Sequence, residues 1–500
     1  MGSITHTLYV VGGTIADPGL FLLIAGGTFL GLAIGALPGL SATMGIALIL
    51  PLTFTMEPVN AIGMMMGVYI GGMAGGAVSA TLLNIPGTPS AVVTCMDGYP
   101  MAKSGRGAEA LGWAAFASGF GSIISWLALT FFSPKLASLC TSFGSPEYAA
   151  LAFFGLTIIA AVSGKSLLKG LIAGMLGIAL SFVGTDPIWG DLRFTFGNIN
   201  LMSGISSIPA MIGLYSIPQI LLSCVGEENP HVDVKGLKLK NFAPSMKSIW
   251  KEKWNIIRSS IIGTAIGIIP ATGGNIAAFI AYDQAKRASK EPESFGKGNY
   301  QGVIASEAAN NGVCGGALIP MLTLGIPGDS VTAVLMGGLV IHGMRPGPAL
   351  FTDYGDVMTQ IFTTVLIATI LMVAIQCVGI KLFVRVLNVP INYLNAALVI
   401  LSLVGSYALR GNYFDVLLTL GIGFAGYLLI KGGFPTAPIV LGLVLGSMFE
   451  GETRRALKLS GGSMSIFFTR PVACVFLVIG MIVILSSLYK VIRKNKVQVG

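Results

Sequence analysis

Charge is scarce in this sequence. Asp, Glu, Lys and Arg make up 10% of 500 residues, against about 25% in a soluble chain. That length would ordinarily read as about three soluble domains, but so little charge cannot cover a water-facing surface of that size. Histidine is scarcer still, with 3 in the chain. The cysteines, at positions 95, 140, 224, 314, 377 and 474, are scattered, without a CxxC and without neighbouring His pairs. That pattern points to buried thiols rather than to a metal or disulfide framework. No GxxxxGK[ST] motif is present, which excludes a P-loop nucleotide site. No Ser/His/Asp or paired-carboxylate arrangement is visible, so we read no enzyme. The start, MGSITHTLYVVGGTIADPGL, has no positive n-region, so the first apolar run is expected to insert and stay. The first Lys or Arg in the chain is Lys103.

What is present is apolar. The AVILMFWYC set supplies 54% of residues and mean hydropathy is +0.81, which places the chain among polytopic membrane proteins. A formal charge of +9 does not imply nucleic acid, because the basic residues sit in short clusters beside apolar runs. A bilayer crossing needs about 20 apolar residues. Such spans are read at 61–83, 111–132, 148–164, 166–184, 207–225, 361–385, 393–409, 414–430 and 471–489. Two stretches look aqueous, 226–258 and 283–300, and both are basic. The tail adds Lys490, Arg493, Lys494 and Lys496. By the positive-inside rule all three face the cytoplasm.

Glycine and proline, 68 and 24 of them, are not scattered at random. Segment 259–282 lies between two basic stretches that want the same side, and Pro270-Ala-Thr-Gly-Gly interrupts it. Proline removes a donor and glycine weakens a helix, so the segment is expected to fold back as a re-entrant hairpin; a kinked helix with one misassigned flank is the alternative. Residues 20–54 carry the same device at Pro38-Gly39. GLAIGALPGLSATMGIAL aligns with GTAIGIIPATGGNIAAFI, setting Gly35 against Gly267 and Pro38 against Pro270. GGAVSATLLNIPGT (75–88) then resembles GGALIPMLTLGIPGD (315–329). Two matched pairs in one order read as an internal duplication, with chance likeness between Gly-rich segments as the alternative. The flanks of the first hairpin carry no positive charge and those of the second are basic, as an inverted-topology repeat requires.

Irregular backbone within a membrane is tolerated only where protein buries it or it lines a wet cavity. The four breaks are therefore the candidate site, since half-helix N-termini attract anions and unwound carbonyls can hold Na⁺. For a substrate we select Pro38, Gly39, Ser41 and Thr43 at the first break, and Asn84, Gly87 and Thr88 at the second. Thr272, Gly273, Gly274 and Asn275 represent the third, and Gly328, Asp329, Ser330 and Thr332 the fourth. Hydroxyls, amides and backbone N–H groups suit carboxylate oxygens. Taken singly, each hydroxyl is better explained by helix packing; as a set around four breaks they read as a ligand site. In SEAANNGVCGG, Glu307, Asn310 and Asn311 share one helical face, a costly cluster against lipid. It reads as a coupling-ion or substrate site, or as a helix start capped near Ser306 or Glu307. Asp97, beside Lys103 and Arg106, reads as a surface loop, and His342 as structural. GxxxG spacings carry little information at this glycine content.

Together GALPGLSATMGIALILPLTF, LLNIPGTPSAVVTCMDGYPMAKSGRGAEALG, PATGGNIAAFIAYDQAK, FGKGNYQGVIASEAANN and GALIPMLTLGIPGDSVTAVLMGGLVIHGMRPGP resemble the TctA family, over roughly residues 20–450. One departure stands out: the family usually has Pro-Gly at the third break, where this chain has Pro270-Ala271. The resemblance implies the large membrane subunit of a tripartite tricarboxylate transporter in a bacterial inner membrane. It implies two partners: a small four-helix membrane subunit, and a periplasmic solute-binding protein that delivers a carboxylate such as citrate. Import is then symport driven by Na⁺ or H⁺, without another cofactor and without nucleic acid, by an elevator motion. The IPG and DGYP motifs argue against the large subunit of a TRAP-type dicarboxylate transporter; an anion channel is the remaining alternative.

The expected architecture is an all-α polytopic membrane protein of two inverted-topology repeats. Each repeat has a re-entrant hairpin and a broken helix, for about 10–12 membrane segments. Residues 1–225 form the first repeat, 226–258 a cytoplasmic loop, 259–450 the second repeat, and 451–500 a last helix with a cytoplasmic tail.

Overall fold

The computed structural model describes residues 4–37, 40–162, 166–186, 188–225, 242–270, 272–386, 391–408 and 410–499. The chain opens with α1 (Ile4–Ala16), α2 (Pro18–Ala36), α3 (Ala42–Thr53) and α4 (Pro58–Leu83). Next are α5 (Val92–Met101) and α6 (Gly107–Cys140), joined by a π-helical turn. Then come α7 (Ser145–Val162) and α8 (Leu167–Ser181), followed by an antiparallel hairpin of β1 (Gly184–Thr185) and β2 (Leu192–Arg193) and by α9 (Ser207–Val225). The second half begins with α10 (Met246–Lys251), α11 (Lys253–Ile268), α12 (Gly273–Ala288) and α13 (Tyr300–Leu324). It continues through α14 (Ser330–Ile341), α15 (Ala349–Asp353), α16 (Gly355–Val386) and α17 (Ile391–Ala408). Last are α18 (Tyr413–Lys431), α19 (Ala437–Leu459), α20 (Ile466–Thr469) and α21 (Pro471–Val499).

The chain is an all-α, multi-pass membrane protein. Among the described residues, five helical runs are long and apolar enough to cross a bilayer: α2, α4, the stretch Pro89–Cys140, α16 and α18. The shorter apolar helices include α3, α8, α9, α14 and α17. The nine spans read from the sequence overlap helices over their described residues, with 166–184 running past the end of α8 at Ser181 into β1. Every one of the four Pro/Gly interruptions separates two helices, at 37–41, 84–91, 269–272 and 325–329.

Two compact units divide the chain, and each is assembled from two separate stretches. One holds Met1–Ser138 and Gln219–Leu409, the other Leu139–Pro218 and Arg410–Gly500. The first unit is built on two helix pairs, α2 with α4 and α11 with α13. Both pairs approach through glycine. A Cβ on Gly27 or Gly31 would collide with the backbone of Met64 or Val68, and one on Gly263 with that of Ala309. Lipid offers no hydrophobic drive between helices, so close backbone packing must supply the cohesion. In the first unit the GxxxG spacings of α2, α4, α11 and α13 lie at these two interfaces, which glycine content alone did not separate from background.

The two matched segments pack alike. Gly87 sits against the carbonyl of Gly35, and its aligned partner Gly328 against the carbonyl of Gly267. Each second break therefore closes over the end of the helix that precedes the first.

In the second unit, α19 packs on α7 and α8, and α21 on α7. Arg193 and Arg454 share the carboxylates of Asp186 and Glu450. This network joins the β-hairpin to α19 and so links the unit's two chain stretches.

Candidate functional site

The helices that follow the breaks start next to one another, all in the first unit. Ser41 caps α3 by accepting from the Met44 N–H at 3.3 Å, and the buried Thr43 hydroxyl lies 3.0 Å from that of Ser330. This joins the first break to the fourth, across 287 residues of chain. At the fourth, Asp329 caps α14: its Oδ1 accepts from the Thr332 N–H at 2.7 Å, and Thr332 Oγ1 accepts from the Asp329 N–H at 2.9 Å. Tyr69 Oη, from α4, donates to Asp329 Oδ2 at 3.2 Å. Tyr69 lies in a mostly apolar helix; a buried tyrosine hydroxyl requires a partner, the one sequence signal that could have marked it.

The second and third breaks meet as well. Thr88 and Ser90 hydroxyls are 3.1 Å apart and buried. Gly274, at the start of α12, faces Ser90, Met73 and Asn310; a Cβ there would lie 2.7 Å from Asn310 Oδ1. Gly273, with φ +66°, faces Asp329. Glycine carries this left-handed turn without the strain another residue would bring. The N-cap residue Thr272 makes no side-chain hydrogen bond to the start of α12, which leaves first-turn N–H groups to serve an anion.

Asn310 is the polar centre of this meeting point. It is buried in α13, and its Nδ2 donates to the Met73 carbonyl at 2.8 Å. Its Oδ1 has no partner among the described residues, and neither has Ser79 Oγ beside Gly87. A buried acceptor left unpaired costs about 1–3 kcal/mol, and a cation or a ligand donor recovers that.

Other selected residues have different employment. Pro38 and Gly39 lie outside the described residues. The Thr272 hydroxyl donates to the carbonyls of Ile266 and Ile269, closing the end of α11. Asn84 is the left-handed C-cap of α4, with φ 58°, and is exposed, as is Asn275. Asn311 turns to Ser122 Oγ at 3.2 Å and to the sulfur of Met372. Glu307 is fully buried, its two oxygens accepting from Thr94 and from Ser118 at 3.2 Å. Thr94 and Ser118 stand 213 and 189 residues away from it, a separation that no local pattern could bridge.

Two readings are corrected. Neither Ser306 nor Glu307 is at a helix start, because α13 begins at Tyr300 with Asn299 as its cap; they are the seventh and eighth residues of the helix and are fully buried. Asp97 is no surface loop. It sits on α5 with no exposure, and its Oδ1 accepts the N–H groups of Gly296, Gly298 and Asn299, each at 2.9 Å. Its Oδ2 accepts from Tyr282 Oη at 2.8 Å. The carboxylate ties the helix after the second break to the loop between α12 and α13.

Residues 21–441 match the tripartite tricarboxylate transporter TctA family. A protein of Agrobacterium vitis, described as an uncharacterized 52.8 kDa protein in the TAR-I ttuC' 3' region, is 36% identical over 470 residues, covering 94% of this chain and 93% of its own length. A second, described as an uncharacterized protein in the TAR-II ttuC' 3' region of the same organism, is 36% identical over 237 residues, covering 47% of this chain and 98% of its own. No solved structure matches the chain significantly. With the broken-helix site in place and the family match spanning most of its length, the chain belongs to the tripartite tricarboxylate transporter TctA family of membrane transporters.

Proposed function

We propose that this chain is the large permease subunit of an ion-gradient-driven importer of tricarboxylates or related carboxylates. A periplasmic binding protein delivers the substrate, and a small four-helix membrane subunit completes the assembly in the inner membrane with the C-terminus cytoplasmic. The reading rests on the convergence of four helix breaks from two related halves in one unit, each with a helix start at the meeting point. Carboxylate oxygens bind at the free N–H groups of α12 and at the hydroxyls of Thr43, Thr88, Ser90 and Ser330. Helix N-termini and neutral donors suit an anion that must also leave, since neither demands a buried counter-charge.

The coupling cation binds beside the substrate at Asn310 Oδ1, whose unpaired acceptor is the observation in favour of a cation there. A cation at that point also offsets the charge of the arriving carboxylates, which makes the two bindings mutually favourable.

Uptake by sealed vesicles containing the transporter and its cognate binding protein tests this directly. Labelled carboxylate accumulates against its gradient when an inward Na⁺ or H⁺ gradient is imposed, and the accumulation collapses with an ionophore. Equilibration without accumulation would identify a channel instead. No carboxylate movement under either gradient would overturn the transport reading.

A further inference from the structure

A polar and aromatic collar lies where α11 begins, far along that helix from the third break. Met246, Trp250, Trp254, Ile257 and Ile261 are 79%, 70%, 72%, 37% and 54% exposed. Their spacing of three and four residues puts them on one stripe that crosses from α10 into α11. The opposite side is packed: Ile256 is buried, and Ile249 lies against the same cluster, which includes Trp113 and Ala308. The acidic residue between the two helices, Glu252, is also turned inward. It is buried and accepts from Tyr300 Oη at 3.1 Å and Gln301 Nε2 at 3.0 Å.

That inward turn decides the sign of the outer face. Lys247 and Lys251 are exposed, and Lys253 Nζ lies 3.9 Å from the centre of the Trp250 ring and 5.9 Å from that of Trp254. The face is therefore apolar, indole-rich and cationic at once. Indole rings settle at headgroup depth, and lysines there are drawn to anionic lipid. Below the collar, the exposed stripe continues with Ile261, Ile268 and Ile269, which need hydrocarbon. A soluble phosphate would use the lysines and leave the stripe uncovered.

We propose that α10 and the first turns of α11 bind anionic phospholipid headgroups at the membrane edge, with Trp250 and Trp254 as anchors and Lys247, Lys251 and Lys253 as the phosphate partners. The inference is independent of what the protein transports.

Native mass spectrometry of the full-length chain, with phosphatidylglycerol and phosphatidylcholine as probes, tests it. Phosphatidylglycerol is retained in preference, and K247Q/K251Q/K253Q weakens its binding by about fivefold per lysine removed while phosphatidylcholine binding is unchanged. In nanodiscs, brominated phosphatidylglycerol quenches a fluorescence component of the wild type that W250F/W254F lacks. Equal retention of the two lipids, or the same affinity in the triple variant, would overturn the proposal. So would identical quenching of wild type and W250F/W254F. Loss of that quenching once the small membrane subunit is added would assign the face to a protein partner instead, and the quenching comparison stands even if the lysine variant does not fold.

Discussion

Asn310 has one polar atom bonded and one open. Its Nδ2 fixes the side chain to the Met73 carbonyl of α4, and that bond orients the unpaired Oδ1 toward the start of α12. An amide held at one end is a preorganised ligand at the other. If Oδ1 binds the coupling cation, N310A forfeits an interaction with a charged group of about 1.5–3 kcal/mol, tenfold or more in affinity. The Na⁺ concentration for half-maximal uptake should rise by that factor in N310A. An unchanged Na⁺ dependence in N310A would remove the residue from the ion site. Asp97 shows a different use of a buried polar group. Four donors satisfy its carboxylate, and three of them belong to one loop. Asparagine at that position would lose the charge-assisted part of these bonds, about 1.5–3 kcal/mol in all. Hydrogen exchange at the amides of Gly296, Gly298 and Asn299 should then accelerate tenfold or more in D97N, and equal rates would show that the loop is held otherwise.

Helix pairs, rather than single helices, are the elements that matter in the first unit. Adjacent glycines of α2 make this testable without leaving the helix. A Cβ on Gly27 meets the backbone of Met64, whereas one on Gly26 meets nothing within 4 Å. G27A should therefore destabilise by about 1–3 kcal/mol through forced separation of α2 from α4. G26A should gain about 0.5–1 kcal/mol from helix propensity alone. Thermal unfolding of the detergent-solubilised protein separates the two, and a similar shift for both would mean that α2 and α4 do not pack on this seam. The same geometry recurs at Gly263 and Gly267 against α13. The repeat is therefore preserved as backbone contact, in which a side chain of any kind is the disturbance.

At the scale of the whole chain, each unit depends on contacts between stretches far apart in sequence. In the second unit the link is ionic. The N–H groups of Trp189 and Ile188, helped by Arg454, hold the Asp186 carboxyl below the usual aspartate range. A carboxyl with a depressed folded-state value stabilises fully above its unfolded value, and that contribution disappears as pH falls through the folded one. The unfolding temperature of the protein should thus drop as pH falls below about 4, and D186N should flatten that acid slope. Identical slopes for wild type and D186N would show that the network adds nothing to the unit. On the proposed function, full transport is a property of the assembly, and the vesicle experiment includes the binding protein for that reason.

The sequence by itself determined the solvent in which the chain folds, the helical spans, the four breaks and the likeness between them. These follow from composition and from local backbone chemistry: low charge leaves only the bilayer, and proline with glycine stops a helix wherever it stands. Tertiary structure alone decided which breaks meet. Thr43 finds Ser330, Glu307 finds Thr94, and Tyr69 finds Asp329 across more than 200 residues, and no local periodicity carries such pairings. It also decided which polar residues are already spent. Thr272 looked free in the sequence and closes a helix end, whereas Asn310, with an identical asparagine as its neighbour, keeps one acceptor open. A hydrogen-bond partner is a fact of three-dimensional proximity, and only folding settles whether a polar atom has one.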